Sequence, residues 1–269
     1  MDFAFKKEKL NIAGRDSQES QKILITGGEG FIGSHVVKYL YDRGNYVRII
    51  DILPNTTGPF EDPKNYCSEF LTEDLRDLSA CRYAVRDVQW VFHFATSENR
   101  MGLIYEKSDF TLYNENHLIT VNITQAAIER EKFVKGKNLN KIPTEIKIER
   151  LYNIFGEENN WKGEMVETPS TLIHKAIHLT TKSENNDKIE IWDSGNQLLS
   201  FLYIEDCVDA IIKLMESNYS KSLNIESEEA LTIEELAYIA IDTIGVRSQM
   251  VTTDLDLKGY GENLYVDAN

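Results

Sequence analysis

Three regularly spaced glycines are the residues in this sequence best suited to binding a phosphate group. The segment GGEGFIG places Gly27, Gly30 and Gly33 directly after a short apolar run and before a helical pattern. Gly27 allows a tight turn, Gly30 lets a pyrophosphate approach the main chain, and Gly33 lets the helix pack closely on a strand. Phe31 and Ile32 begin the helix, and the free N–H groups at a helix N-terminus favour anions. The segment predicts a site for the pyrophosphate of a dinucleotide.

Two acidic residues follow the next apolar runs. Asp51 ends the second run, 18 residues after Gly33, close to the spacing of about 20 at which a carboxylate binds a ribose 2′-hydroxyl. Because a carboxylate there would repel the 2′-phosphate of NADP, NAD is the expected cofactor. Asp74 and Leu75 follow the third run and suit a contact with adenine. The alternatives are that the glycines only turn the chain and that both acids are solvated surface residues.

The elements that would position these residues alternate between strands and helices. The expected strands are Lys22–Thr26, Tyr46–Asp51, Glu69–Leu71 and Trp90–Ala95, and the expected helices are Ile32–Arg43, Ala80–Val85 and Leu112–Arg130. Such alternation is typical of a parallel sheet with crossover helices. The predicted fold class is therefore α/β, a Rossmann-type doubly wound parallel sheet.

The second half of the chain has a different pattern and predicts a smaller C-terminal lobe. Its expected strands are Thr144–Asn153, Lys188–Trp192, Leu202–Ile204 and Ser222–Ile225, and its expected helices are Thr171–Thr181, Glu205–Met215 and Thr232–Ile244. Thr232 and Glu235 have the spacing of a capping box. We expect a mobile N-terminal arm at 1–20, an NAD-binding domain at 21–155, and a substrate-binding lobe at 156–269 that is partly woven back into that domain.

Composition limits the classes of partner. The 269 residues carry a net charge of −15, with 42% hydrophobic residues, as in ordinary globular proteins. The acidity argues against nucleic acid as a partner, and no apolar run reaches the length of a membrane span. The three cysteines, Cys67, Cys81 and Cys207, are widely spaced and predict neither disulfides nor a zinc site. We expect a cytoplasmic protein.

The sequence resembles the extended short-chain dehydrogenase/reductase family of NAD-dependent epimerases and dehydratases. The resemblance is carried by ITGGEGFIGSH, by DLR, and by Asn116 and Asn122 on the helix after the fourth strand. More narrowly, the segments YNIFGEENNWKG, IEIWDSGNQLLSFLYIEDCVDAI and LNIESEEALTIEELA are similar to those of GDP-mannose 3,5-epimerases. Most of residues 21–245 take part in the resemblance.

The resemblance implies a chemistry and a set of site residues. Enzymes of this kind use bound NAD to oxidise a GDP-sugar at C4, invert C3 and C5 with an acid/base pair, and re-reduce C4. It implies a cofactor contact for Asn116 and substrate contacts for Asn153, Lys175 and Gln197. Family members dimerise through two helices that flank the central strands, so the resemblance also implies a homodimer.

One strand–helix unit of the resembled fold is missing. If the helix at Leu112–Arg130 ends near Lys132, only Phe133–Pro143 remain before the next strand. An average strand of about 5–6 residues and an average helix of about 11–12 do not fit there. The family's catalytic Tyr-x-x-x-Lys belongs in this unit, and no Tyr-x-x-x-Lys occurs in the chain. Glu167 also stands where the epimerases have an acid/base lysine. We therefore assign no catalytic residue and expect an internally deleted member with impaired catalysis.

Two other functions stay open, and other side chains offer little chemistry. The chain could be a non-catalytic NAD or nucleotide-sugar binding module, or a dehydratase or decarboxylase of the same superfamily. His93 lies in an apolar run and is expected to be a hydrogen-bonded core histidine. Tyr113 and His117 lack a lysine at the required spacing. His174 and His178 are four residues apart but lack a third ligand, so no metal site is expected.

Overall fold

The computed structural model describes residues 20–52, 65–97, 109–136, 147–158, 168–181, 188–192, 194–245 and 249–253. Its helices are α1 (Phe31–Tyr41), α2 (Leu78–Ala84), α3 (Asp109–Gly136), α4 (Thr168–Thr181), α5 (Ile204–Glu216) and α6 (Ile233–Ile244). Its strands are β1 (Lys22–Thr26), β2 (Tyr46–Asp51), β3 (Glu69–Thr72), β4 (Trp90–His93), β5 (Glu149–Leu151), β6 (Ile154–Phe155), β7 (Lys188–Trp192), β8 (Leu198–Ser200), β9 (Leu202–Tyr203), β10 (Leu223–Ile225), β11 (Ala230–Thr232) and β12 (Gln249–Thr253).

A four-stranded parallel sheet forms the centre of the first half. Its strand order is β3-β2-β1-β4, so the chain moves outward from β1 to β3 and then returns to the other side of β1. In open α/β sheets the ligand crevice lies at the carboxyl ends of the strands where the order reverses. Here that point is between β1 and β4, and the loop GGEGFIG follows β1 directly. The predicted doubly wound α/β fold is confirmed.

Apolar cores cover both faces of this sheet. On one face, Ile23 and Ile25 of β1 pack with α1 and with Ile204 and Ile211 of α5. On the other face, Leu24 packs with α2 and α3. Because β1 is buried on both faces, its residues are apolar without alternation, as expected of a central parallel strand. Elements from beyond residue 155 thus contribute to the first core, although the boundary between 21–155 and 156–269 stays a prediction.

The remaining strands form short pairs. Parallel pairs join β5 with β10, β6 with β9 and β7 with β12, and β8 pairs antiparallel with β11. A third core joins α4, β7 and α6 through residues that include Leu172, Ile189 and Ala237. The capping box predicted for Thr232 and Glu235 is present at the start of α6. None of the strands β6, β8, β11 and β12 is predicted from the sequence.

Of the strands that the structure describes, β4 is the last on its side of the central sheet. Among the described strands none pairs with the outer edge of β4, and β5 pairs with β10 alone. Helix α3 extends to Gly136, beyond the predicted end at Arg130, and the next described residue is Lys147. Only ten positions, 137–146, separate them, which is shorter than the strand and helix of one further unit.

The remaining expectations concern membrane spans, the cysteines, the N-terminal arm and Glu167. Within the described ranges, no helix is long and apolar enough to cross a membrane. Cys67, Cys81 and Cys207 are buried and form no disulfide. The arm predicted at 1–20 lies outside the described residues except for Ser20, as does Glu167.

Candidate functional site

The glycine loop is a compact turn that brings α1 against the end of β1. Gly27 has φ +67°, and its N–H donates to the carbonyl of Ile50 on β2 at 3.0 Å. The N–H of Gly30 donates back to the carbonyl of Gly27 at 3.1 Å. A Cβ at position 33 would lie 2.1 Å from that same carbonyl oxygen, so only glycine fits. The roles predicted for Gly27 and Gly33 in turning and packing match this geometry.

The first turn of α1 has no side-chain cap. Gly30 is the N-cap and offers no side chain to the N–H groups of Phe31, Ile32 and Gly33, which have no carbonyl within the helix to bind. The first turn also holds no acidic residue. Hydrogen-bond donors and the positive end of the helix dipole therefore coincide beside Gly30. These features fit a pyrophosphate group.

Asp51 lies beside this loop, at the end of β2. The N–H of Glu29 donates to Asp51 Oδ2 at 3.2 Å, which ties the carboxylate to the glycine loop. Asp51 is partly exposed. A carboxylate in this position can accept hydrogen bonds from the hydroxyl groups of a ribose whose phosphate sits on α1.

Asp74 and Leu75 follow β3 at the same edge of the sheet. Arg76 donates from Nη2 to Asp74 Oδ2 at 2.6 Å, and this hydrogen bond holds the pKa of the Asp74 carboxyl below its usual range. The Leu75 side chain is buried in the core, and its carbonyl accepts a hydrogen bond from Asn122 Nδ2 at 3.0 Å. Asp74 thus presents an ionised carboxylate, whereas Leu75 is limited to main-chain contacts with any ligand.

Asn116 forms hydrogen bonds with the loop that follows β4. Its Nδ2 donates to the carbonyl of Ser97 at 3.0 Å, and its Oδ1 accepts from the Ser97 N–H at 2.5 Å. Glu115 joins this contact, because the Ser97 hydroxyl donates to its Oε2 at 2.5 Å. Sequence reasoning missed Ser97 and Glu115, since nothing local links residues 18 positions apart. Asn116 therefore holds the loop at the crevice through both ends of its amide.

His93, His174 and His178 contact neighbouring side chains. His93 Nδ1 lies 2.7 Å from Thr26 Oγ1, its Nε2 lies 3.3 Å from Thr120 Oγ1, and burial lowers the pKa of His93 to about 4. This is the hydrogen-bonded core histidine that the sequence predicts. His174 and His178 stack with ring centroids 6.4 Å apart. The described residues contain no group of three or more metal-ligating side chains.

The three candidate substrate residues lie on the second half of the chain. Asn153 has φ +43°, a left-handed conformation that asparagine tolerates better than most residues, and its Nδ2 donates to the carbonyl of Ser200 at 2.9 Å. Gln197 is exposed, and its carbonyl accepts the N–H of Ile233 at 3.2 Å. Lys175 is partly exposed on α4, beside the buried Ala176. Asn153 and Gln197 thus lie near the two ends of β8, and their substrate roles stay predictions.

Comparisons with known proteins agree with this fold. GDP-mannose 3,5-epimerase 1 of rice (Oryza sativa subsp. indica) is 28% identical over 269 residues, which cover 83% of this chain and 68% of the rice protein. A UDP-glucose 4-epimerase from Thermotoga maritima, solved with UDP-glucose, superposes with a TM-score of 0.68 at 19% identity and covers 86% of this chain and 85% of its own. The UDP-glucose 4-epimerase of Thermus thermophilus, solved in complex with NAD, gives a TM-score of 0.64 at 19% identity over 86% and 85% of the two chains.

The family model matches most of the chain. The model described as the NAD dependent epimerase/dehydratase family matches residues 23–137 and 140–225. These two segments contain the glycine loop, Asp51, Asp74 and Asn116, and the expected cofactor, NAD, is the cofactor of that family. The chain therefore belongs to the NAD dependent epimerase/dehydratase family.

Proposed function

We propose that the protein binds NAD in the crevice at the carboxyl ends of β1 to β4, as a nucleotide-sugar epimerase-type member of its family whose catalysis is impaired. The observation that carries this proposal is the uncapped first turn of α1 beside Gly30, with Asp51 tied to the same loop. The main-chain N–H groups of Phe31 and Ile32 would hold the pyrophosphate, and Asp51 the ribose. Asp74 would accept a hydrogen bond from adenine, and Asn116 would keep the Ser97 loop in place.

The proposed substrate is a GDP-sugar, as for GDP-mannose 3,5-epimerases. The rice relative is 28% identical and is named for that activity. Asn153, Lys175 and Gln197 would contact the substrate, with the Lys175 ammonium group paired with the diphosphate. NAD would supply the acceptor for hydride from the sugar carbon when it is bound. The chain's own residues would orient the sugar above it.

Impaired catalysis is proposed because the acid/base unit is missing. The alignment with the rice protein has 269 positions, and 83% of this chain, about 223 residues, takes part in it. Roughly 46 positions of the rice protein therefore have no counterpart in this chain. The family match is interrupted at residues 138–139, within the ten positions that separate α3 from Lys147. His93 is a poor substitute, because it is hydrogen-bonded at both ring nitrogens and burial lowers its pKa to about 4. General acid–base catalysis typically contributes about 10²–10⁴-fold to the rate.

The second candidate function is a non-catalytic NAD or nucleotide-sugar binding module. The same observations support it, because the first turn of α1 has no side-chain cap while no Tyr-x-x-x-Lys occurs in the sequence. A module of this kind would bind NAD and would show no turnover with any nucleotide sugar. Turnover with a GDP-sugar, even if slow, would favour the first candidate.

NAD binding tests the proposed site. We expect saturating NAD to raise the melting temperature of the wild-type protein, because a ligand at 100 times its Kd stabilises by about 2.7 kcal/mol. Gly30→Val should abolish the shift, since the new side chain stands where the pyrophosphate would approach. The backbone at Gly30, with φ −73° and ψ 166°, suits any residue, so this variant should fold.

A matched control separates ligand binding from stability. Gly245, at the C-terminus of α6, has φ +76° and open space around it, so Gly245→Ala should cost about 1 kcal/mol of stability without touching the crevice. Its melting temperature should fall while its NAD-induced shift persists. A wild-type protein without any shift, or a Gly30→Val variant with the full shift, would refute the site.

We also propose a homodimer that forms through the outer face of α3. Ile119 and Ile123 face the core, whereas Phe110 and Tyr113 on the opposite side are 73% and 68% exposed, with Val121 exposed on the same face. From Phe110 to Ile128 this outward face holds no charged residue, although the chain as a whole carries −15. A charge-free surface is where two acidic copies repel least. Solvated helix faces are normally charged.

The oligomeric state tests this surface. The exposed face could bury roughly 500–600 Å² per copy, near the lower limit for a specific dimer, so we expect micromolar association. Val121→Glu should shift the sedimentation of the protein to the monomer, whereas Ile239→Glu, on the exposed face of α6, should not. A wild-type protein that stays a monomer at 100 times this micromolar dissociation constant would contradict the proposed dimer. We also propose a cytoplasmic location, because the three cysteines form no disulfide.

A further inference from the structure

Glu115 lies between the two loops that follow β3 and β4. Arg76, from the first loop, donates from Nη1 to Glu115 Oε1 at 2.9 Å. Ser97, from the second loop, donates its hydroxyl proton to Glu115 Oε2 at 2.5 Å. The Glu115 side chain is 15% exposed, so both of its oxygens are used in a partly buried setting. One carboxylate of α3 thus joins two loops at the edge of the crevice.

The same guanidinium continues to Asp74. Arg76 donates from Nε to both oxygens of Asp74, at 3.1 and 2.9 Å, and from Nη2 to Oδ2 at 2.6 Å. Because a guanidinium is a rigid planar fork, fixing one end of it fixes the direction in which its other nitrogens point. Glu115 therefore restrains the carboxylate of Asp74 without touching it.

Neighbouring contacts make this arrangement rigid. Asn122 Nδ2 donates to the carbonyls of Leu75 and Arg76 at 3.0 and 2.9 Å, which holds the main chain of the first loop on α3. Asn116 holds the main chain of Ser97 in the same way. The side-chain connection Ser97–Glu115–Arg76–Asp74 is thus built on two loops whose main chains are both fastened to α3.

We propose that Glu115 is a positioning residue for adenine recognition: through Arg76 it orients the Asp74 carboxylate to accept a hydrogen bond from the 6-amino group of the adenine ring. This inference rests on the proposed NAD site and adds to it the residue that sets its selectivity for the base. A base with a carbonyl oxygen at that position, such as hypoxanthine, would face the oriented carboxylate with a lone pair. The site would disfavour this analogue because the Asp74 carboxylate, held in place by Arg76, would lose a hydrogen-bond donor and face a lone pair instead.

Comparison of two dinucleotides measures this role. NAD and nicotinamide hypoxanthine dinucleotide differ only in the purine base, so the ratio of their dissociation constants reports on Asp74. We expect the wild-type protein to prefer NAD by at least about tenfold. Glu115→Gln keeps the size of the side chain but removes the charge that holds Arg76. NAD should then bind about three- to tenfold more weakly, and the preference for NAD should shrink toward one.

Two further variants separate positioning from general stability. Glu129→Gln removes the same charge from the same helix and breaks an ion pair with Arg82 on α2 at 2.8 Å, away from both loops. It should change neither the NAD affinity nor the ratio. Ser97→Ala removes only the hydroxyl donor to Glu115, so it tests the same connection if Glu115→Gln does not fold, and it should lower the ratio part of the way.

The outcomes can be told apart from a failure of the NAD site itself. If the wild-type protein binds no NAD, both the proposed function and this inference are refuted. A wild-type protein that binds both dinucleotides equally refutes the adenine contact while the NAD site stands. An unchanged ratio in Glu115→Gln and Ser97→Ala, beside a discriminating wild type, would make Glu115 a purely structural residue and overturn the proposal.

Discussion

Alanine at Gly33 and alanine at Gly30 should have very different effects on stability, although the glycines lie three residues apart in one loop. A Cβ at position 33 would lie 2.1 Å from the carbonyl oxygen of Gly27, 3.0 Å from its carbonyl carbon and 3.1 Å from the Cα of Gly28. All three atoms belong to the main chain, so no side chain can rotate away. A Cβ at position 30 meets only the Gly27 oxygen, at 3.3 Å, which a shift of a few tenths of an ångström relieves.

These distances translate into different losses of folding free energy. Overpacking against main chain costs about 3 kcal/mol for Gly33→Ala, at the upper end of the usual range. Gly30→Ala should cost about 0.5–1 kcal/mol, since alanine is a poorer N-cap than glycine. For a domain of this size, 1 kcal/mol lowers the melting temperature by roughly 2–4 °C. We therefore expect losses of about 6–12 °C for Gly33→Ala and about 1–4 °C for Gly30→Ala.

Differential scanning calorimetry of the two ligand-free variants measures this contrast, and urea unfolding gives the free energies independently. The wild-type protein in the same buffer is the reference. If Gly33→Ala unfolds within 2 °C of the wild type, then α1 does not approach the end of β1 as closely as described. The geometric basis of the pyrophosphate site would then be wrong.

Three other perturbations probe separate parts of the molecule. Asp51→Asn removes the charge but keeps an acceptor for the Glu29 N–H, so NAD should bind roughly 10- to 100-fold more weakly by calorimetric titration; Asp42→Asn, at the exposed end of α1, is the control. Lys147 donates from Nζ to the carbonyls of Leu214 and Ser217 at the end of α5, so Lys147→Met should cost about 1–3 kcal/mol in urea unfolding, whereas Lys213→Met, in an exposed pair with Asp209, should cost under about 0.5 kcal/mol. Burial raises the pKa of Glu149 to about 7 from 4.5, so the folded state binds the extra proton and stability should fall as the pH rises from 4.5 to 7. Glu149→Gln should flatten that decline, and an unchanged pH profile would contradict the burial of this carboxyl group.

Local features of the fold could be predicted from the sequence. The bounds of β1 and β2 agree with the expected Lys22–Thr26 and Tyr46–Asp51, because both are short apolar runs between clear turn residues. The Thr232–Glu235 capping box was predicted for the same reason, since its two residues lie within one turn. The glycine loop and Asp51 also depend on spacing along a single βαβ unit.

Features that depend on distant contacts could not be predicted. Strand β12 pairs with β7, some 60 positions earlier, and Gln249–Thr253 alone carries no distinctive alternation. Ser97 and Glu115 gain their roles only when the β4 loop meets α3. The predicted end of α3, Arg130, lies six residues before the observed end at Gly136, because no apolar stripe marks the last turns of this helix.

The central claim is that an NAD-binding fold has lost its acid/base catalysis, and deuterium exchange tests it most directly. The protein, saturated with NAD, is incubated with GDP-mannose in deuterated water, and mass spectrometry and NMR measure deuterium at C3 and C5 of the sugar. We expect an uptake equal to that of a heat-denatured control. Exchange or epimerised sugar above that control would show that the chain supplies an acid and a base of its own, and would contradict the account.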